Sequence, residues 1–238
     1  MRVATWNVNW APPGSGRGDH VAVKLRGLGA DIMIVTEGFA ELLPPDGHLI
    51  DAGDDWGYAL RPGRRKTLAW SRHPWRDIRR LDEGPGKGRV VAGITETDAG
   101  PVGVIAVCIP WRDAHVRTGL RRNALQWQEH QACCTQLLEL RQDFAHGRPT
   151  LIAGDFNQRI PRRGQPLRVE ASLSAALTGM TTWTAGDSAF GQLIDHVAGS
   201  AELAAEDVVV WPGEEEHGRL SDHSGVACTV SVVSPGVA

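Results

Sequence analysis

Two apolar runs, Ile32-Met33-Ile34-Val35 and Thr150-Leu151-Ile152-Ala153, offer almost no polar side chain to turn toward water. An extended segment of that kind is buried on both faces, which asks for sheets covered by other layers. Each run stops abruptly at polar residues: Thr36-Glu37 after the first, Gly154-Asp155-Phe156-Asn157 after the second. Upstream, Arg2 to Asn9 alternates and is rich in Val, Thr and Trp, the pattern of a strand. Further short strands are expected near 57–60, 66–71, 89–96, 102–109, 192–198 and 224–233.

Helices are fewer. Asp19 is the expected N-cap of a short helix with Val21, Leu25 and Leu28 on one side, closed by Gly29. The clearest helical spacing runs from Leu120 to Ala145 through Leu120, Ala124, Trp127, Cys134, Leu137, Leu138 and Phe144. His146-Gly147, with Pro149 beyond, stops it. A shorter helix is expected near 166–178. With 28 Gly and 14 Pro, many short elements must be joined by tight turns. Strand–helix alternation is too irregular for a parallel barrel. The expected fold is therefore α/β, with two packed mixed β-sheets flanked by helices in a four-layer α/β/β/α sandwich. No repeat or linker divides the sequence, so residues 1–238 are expected to form one domain.

The formal charge of −3 excludes a strongly basic nucleic-acid binder but hides an asymmetry. Residues 61–89 hold ten Lys/Arg against three Asp/Glu, whereas 31–55 and 201–217 are acidic. A basic stretch on a near-neutral chain fits a localised phosphate-binding face. The bland alternative is coding composition, since Arg outnumbers Lys throughout. Cys108, Cys133, Cys134 and Cys228 show no metal-site spacing and read as small buried hydrophobes in a reducing compartment. No leader-like apolar segment follows Met1 and no apolar stretch approaches the ~20 residues of a membrane span. A soluble, cytoplasmic protein is expected, with no membrane association and no obligate protein partner.

Five polar clusters sit at the ends of apolar runs: Asn7 with Asn9, Glu37, Asp155 with Asn157, Asp195-His196, and Asp222-His223. Any one of them is most simply a turn or cap. Five together can converge on one rim of a sheet, where water and substrate reach them. The series Thr5-Trp6-Asn7-Val8-Asn9, Thr36-Glu37, Gly154-Asp155-Phe156-Asn157, Ile194-Asp195-His196 and Ser221-Asp222-His223 resembles the endonuclease/exonuclease/phosphatase superfamily, in that family's order.

The resemblance implies a divalent-metal-dependent phosphoesterase in which water attacks phosphorus in line. Glu37 would be the main ligand of Mg2+ (or Mn2+), with Asn7, Asn9 and Asp222 at or near the metal. Asp155 would position or deprotonate the water, and Asn157 would donate to a phosphoryl oxygen. His223 would stabilise transition-state charge, with Asp195 accepting its other ring proton. Two departures stand out. Many relatives carry Asp in place of Asn9, and His or Tyr near Cys108. Trp111, Arg112, Asp113 or His115 would supply that phosphate contact or play a structural part, Arg112 being best suited by its guanidinium. Arg159, Arg162 and Arg163 leave the catalytic strand with no acid among them and would grip flanking phosphates, or face solvent. Exposed members of the nine tryptophans could stack on unpaired bases, although most belong in the core. Nucleic-acid phosphodiesters are the leading substrate. A small or lipid-derived phosphate ester is the runner-up, and an inactive binding relative is third.

Overall fold

A computed structural model describes residues 1–98, 100–216 and 218–233; the last five residues of the expected domain lie outside it. In chain order, the first half contains β1 (Arg2–Asn7), α1 (Gly16–Gly27), β2 (Ile32–Phe39), β3 (His48–Asp51), β4 (Arg64–Ser71), β5 (Trp75–Arg80), β6 (Val90–Thr97) and β7 (Gly100–Cys108). Then follow α2 (Gln128–Phe144), β8 (Thr150–Asp155), α3 (Leu167–Ala176), β9 (Met180–Thr182) and the small hairpin β10 (Asp187–Ser188) with β11 (Gly191–Gln192). The chain continues through β12 (Asp195–Ser200), β13 (Leu203–Trp211), the hairpin β14 (Glu214–Glu215) with β15 (Gly218–Arg219), and β16 (Gly225–Val232).

Two six-stranded mixed sheets result, ordered β13-β16-β1-β2-β4-β3 and β5-β6-β7-β8-β12-β9. Their central pairs, β1 with β2 and β7 with β8, are parallel. Alternation along the apolar runs explains the layering. Ile32 and Ile34 join Val104, Ala106, Leu151 and Ala153 between the sheets. Met33 and Val35 face the opposite way, against Val21 and Leu25 of α1. Ile105 and Ile152 pack outward on Cys133 and Leu137 of α2 and Leu173 of α3. Each run thus feeds two cores, and a fully buried Ile or Leu contributes about 1.5–3 kcal/mol. The four-layer α/β/β/α arrangement is as expected.

Several boundaries differ. Ser15, not Asp19, caps α1: its hydroxyl accepts from the Gly18 amide at 3.1 Å. Asp19 lies in the first turn, where its charge suits the helix dipole. Two glycines obscure this start, and Gly18 is needed because a Cβ there would come within 2.0 Å of the Pro12 carbonyl. Helix α2 begins only at Gln128, after Trp127 adopts the left-handed conformation at φ 69°. Backbone bonds from Ala124 to His115 and from Trp127 to Arg112 draw the preceding segment into a loop instead. Residues 57–60 are loop as well. Besides the two-residue hairpins, the strands not anticipated are β3, β5, β9 and β13, the four sheet edges, and charged or exposed edges lack a clean period-two signal. No helix among the described residues is long and apolar enough to cross a membrane.

Candidate active site

The polar clusters gather where the two sheets meet at one rim. Register places them there: Asp195, opening β12, pairs with Asp155, closing β8, and Asn7, closing β1, pairs with Thr36 of β2. The glycine of Gly154-Asp155-Phe156-Asn157 is dictated by the neighbouring strand. At φ 140°, a Cβ on Gly154 would sit 1.9 Å from the Val107 carbonyl of β7. Phe156 is fully buried in the outer core, which anchors the turn. Asn157 then takes a left-handed conformation, φ 52°, as do Asn9, Trp10 and Glu37 at φ 44°, 57° and 50°. Such conformations in non-glycine residues cost energy and persist where surrounding structure imposes them.

Asn7 bridges the sheets. Its backbone amide donates to Asp195 Oδ1 at 2.9 Å and its side-chain amide to Asp155 Oδ2 at 3.0 Å. Asp155 also accepts from the Asn157 backbone amide at 2.8 Å and from Asn157 Nδ2 at 3.1 Å. Asn157 Nδ2 donates in addition to the Ile109 carbonyl at 2.8 Å. Both hydrogens of that amide are therefore engaged within the protein, and in this conformation Asn157 orients Asp155. Contact with a phosphoryl oxygen would require it to release one of these bonds.

His223 is held from both sides. Its Nδ1 lies 2.5 Å from Asp195 Oδ2, and its carbonyl accepts from the Trp6 indole at 3.0 Å. Ser221 ties this loop to β1: its hydroxyl donates to the Asn7 carbonyl at 2.6 Å and accepts from the His223 amide at 3.1 Å. Burial alone would lower the His223 pKa, but the Asp195 and Asp155 carboxylates outweigh it and raise the imidazolium to about 10. Asp155 is raised as well: enclosure pushes it up to about 7 despite the attraction of His223. Asp155, Asp195 and His223 offer atoms all within 4.8 Å of one another, a group that could hold a metal ion. Asp195 and His223 are bonded directly, and Asn7 links Asp155 to Asp195 by donating to both.

Glu37 stands opposite Lys66 between β2 and β4, and Lys66 Nζ reaches Glu37 Oε1 at 2.5 Å. Burial would raise the Glu37 carboxyl, yet Lys66 and the more distant His223 and Arg89 hold it below its usual range. Asp222 is exposed and acts on His223 electrostatically. The Asn9 backbone amide donates to Asn7 Oδ1 at 2.9 Å, and its carbonyl accepts from Arg17.

The remaining expected contacts scatter. Cys108 is buried, and that burial pushes its thiol far above the normal range. Arg112 is exposed and pairs with Asp113 at 2.9 Å. His115 is buried against Tyr58, with Nδ1 3.2 Å from the Arg121 carbonyl. His196 is a satisfied core histidine, bonded to Thr184 and the Gln158 carbonyl. Arg162 is occupied by Glu170 at 3.1 Å and by the Gln165 carbonyl. Arg159 and Arg162 line a cavity against α3 that shares no residue with the polar cluster at the rim. Arg163 is exposed on the same loop. Trp111 is 44% exposed and lines a different cavity, beside Lys66.

That cavity contains residues the sequence reading did not single out: Trp10, Trp56 and Arg89. Lys66 was visible only in the basic run Arg61, Arg64, Arg65 and Lys66, a second candidate for gripping phosphates or else a solvated face. Its pairing with Glu37 depends on two strands nearly thirty residues apart, which no local signal reports.

Two mixed sheets thus bring carboxylates, amides and a histidine to one shared rim. The endonuclease/exonuclease/phosphatase family profile matches residues 4–223, and the chain belongs to that family. No curated protein matches the sequence. Among solved structures, an endonuclease/exonuclease/phosphatase from Beutenbergia cavernae DSM 12333 is 20% identical, with TM-score 0.70 over 100% of this chain and 73% of that one. A humanized D. rerio TDP2 is 13% identical, with TM-score 0.71 over 98% of this chain and 99% of that one. An AP endonuclease from Archaeoglobus fulgidus is 16% identical, with TM-score 0.69 over 98% of this chain and 100% of that one. At such identities the likeness concerns the fold.

Proposed function

We propose that this protein is a divalent-metal-dependent phosphodiesterase acting on nucleic acid. The observation that carries the reading is the bonded set Asp155–Asn7–Asp195–His223 at a rim shared with Glu37. Asp155, with a pKa near the working range, accepts the proton of the attacking water as the new P–O bond forms. The ester P–O bond opposite breaks as the leaving oxygen departs. Because Nδ1 of His223 is taken by Asp195, Nε2 remains to donate to a phosphoryl oxygen, and the raised pKa keeps the imidazolium charged at neutral pH.

The donor chemistry fits a hard cation. Glu37 already stabilises one positive charge, that of Lys66, and remains ionised. Its carboxylate, with oxygens of Asn7, Asn9 and Asp222, would hold Mg2+ or Mn2+. Bound there, the ion would neutralise charge building on the phosphoryl oxygens. The test is purified protein with Mg2+ or Mn2+ on plasmid, single-stranded and abasic DNA, RNA, and a generic phosphodiester. Nucleic-acid cleavage abolished by EDTA and by Asp155→Ala supports the reading. Turnover of small esters alone would replace it with a small-molecule phosphoesterase.

A further inference from the structure

Beside the Glu37–Lys66 pair lies a cavity of about 350 Å3 whose walls combine aromatic rings and positive charge. Trp10, Trp56, Trp111 and Tyr58 supply the rings, so three of the nine tryptophans meet at one place. Arg61, Arg64, Lys66 and Arg89 supply the charge, and no acidic side chain lines the cavity among the described residues. Trp10 and Trp56 stack at 5.6 Å and 20°, and the Arg64 guanidinium covers the Trp10 ring at 4.6 Å. Those rings have partners. Trp111, 44% exposed, keeps an open face.

Arg89 is the unusual member. It is 2% exposed, and its guanidinium makes no hydrogen bond or ion pair among the described residues. Arg89 lines the cavity, where a ligand can reach it. A buried cation without a partner is costly and signals an anion that completes it. Glu37 is the acid it senses, but that carboxylate is bound to Lys66.

We propose that this cavity is a subsite for one unpaired nucleotide adjoining the phosphate under attack. Its phosphate neutralises Arg89, with Arg64 and Arg61 at the mouth, and its base lies against the open face of Trp111. The volume suits a single nucleotide, and a base held in a duplex stack cannot enter without being flipped out. Single strands and frayed ends are therefore preferred over intact duplex. This inference rests on the phosphodiesterase reading for its link to catalysis, whereas binding to the cavity is testable without turnover.

Calorimetric titration in EDTA, using adenosine 5′-monophosphate, ribose 5-phosphate and inorganic phosphate, separates the contributions. Adenosine 5′-monophosphate should bind saturably and at least roughly tenfold more tightly than ribose 5-phosphate, the scale of one base–aromatic stack. Trp111→Ala, an exposed position that leaves the core intact, should erase most of that advantage. Arg89→Gln should weaken both sugar phosphates alike. Unpaired oligonucleotides should displace the nucleotide at lower concentration than duplexes of equal length. Equal affinity for adenosine 5′-monophosphate and ribose 5-phosphate would overturn the base-binding subsite, as would an unaltered preference in Trp111→Ala. Nucleotide binding with no hydrolysis of any phosphodiester would sink the proposed function and leave the subsite standing.

Discussion

The catalytic rim and the neighbouring aromatic cavity share Lys66 as a boundary but are built on opposite principles. On the rim, Asp155, Asp195, Asn7 and His223 satisfy one another, and their bonds link both sheets. In the cavity, the Arg89 guanidinium has no hydrogen bond or ion pair among the described residues, and Trp111 is 44% exposed. A set of groups that must hold a proton in place is over-determined by strands on either side. A surface that must accept a ligand leaves part of its bonding unmet. The contrast is what assigns chemistry to the first region and recognition to the second in the proposed function.

The largest break in that contrast is expected from Asp155→Ala. Loss of a positioned base costs about 10²–10⁴-fold in turnover, measurable on any cleaved substrate, while mutations in the cavity act through binding. Asp195→Asn should follow. It removes the partner that raises the His223 pKa, so turnover falls and the alkaline limb of the pH profile moves down.

In the unaltered protein the profile itself is a third prediction. Asp155 must be ionised to accept a proton, so activity declines as pH falls through about 7. His223 must be protonated to donate, so activity declines again as pH rises through about 10. The two limbs belong to the coupled set and are read from kcat/KM against pH. A profile flat between these limits and pH 5 would remove Asp155 from the role of base.

Smaller effects probe the scaffold and the boundary. Gly154→Ala forces a Cβ into the Val107 carbonyl, and urea unfolding should report a loss of about 1–3 kcal/mol. Lys66→Met removes the cation competing for Glu37, so the Mg2+ concentration giving half-maximal activity should drop a few-fold. A rise instead would mean that Lys66 organises Glu37 for the ion.

Much of the rim was legible because its members sit next to buried strands. Apolar runs ending at Glu37 and Asp155 advertise both the strand and the rim it reaches, and the motif residues supply the chemistry. Trp10, Trp56 and Arg89 carried no such mark. Each is ordinary in its own neighbourhood, and Arg89 looked like one more residue in an arginine-rich chain. Edge strands β5 and β13 were hidden for a related reason: half-exposed segments are shaped by their neighbours more than by their own pattern.

By itself, the amino-acid sequence determined the layered α/β architecture, the order of the polar clusters and the family they mark. Burial on two faces leaves a one-dimensional signature, and so does a polar residue at the end of a buried strand. Tertiary structure alone decided that Lys66 meets Glu37, that Asn157 spends both amide hydrogens inside the protein, and that three tryptophans gather around Arg89. Those facts depend on strand register and loop closure between segments far apart in the chain. Pairing geometry of that kind is settled only when the sheets close.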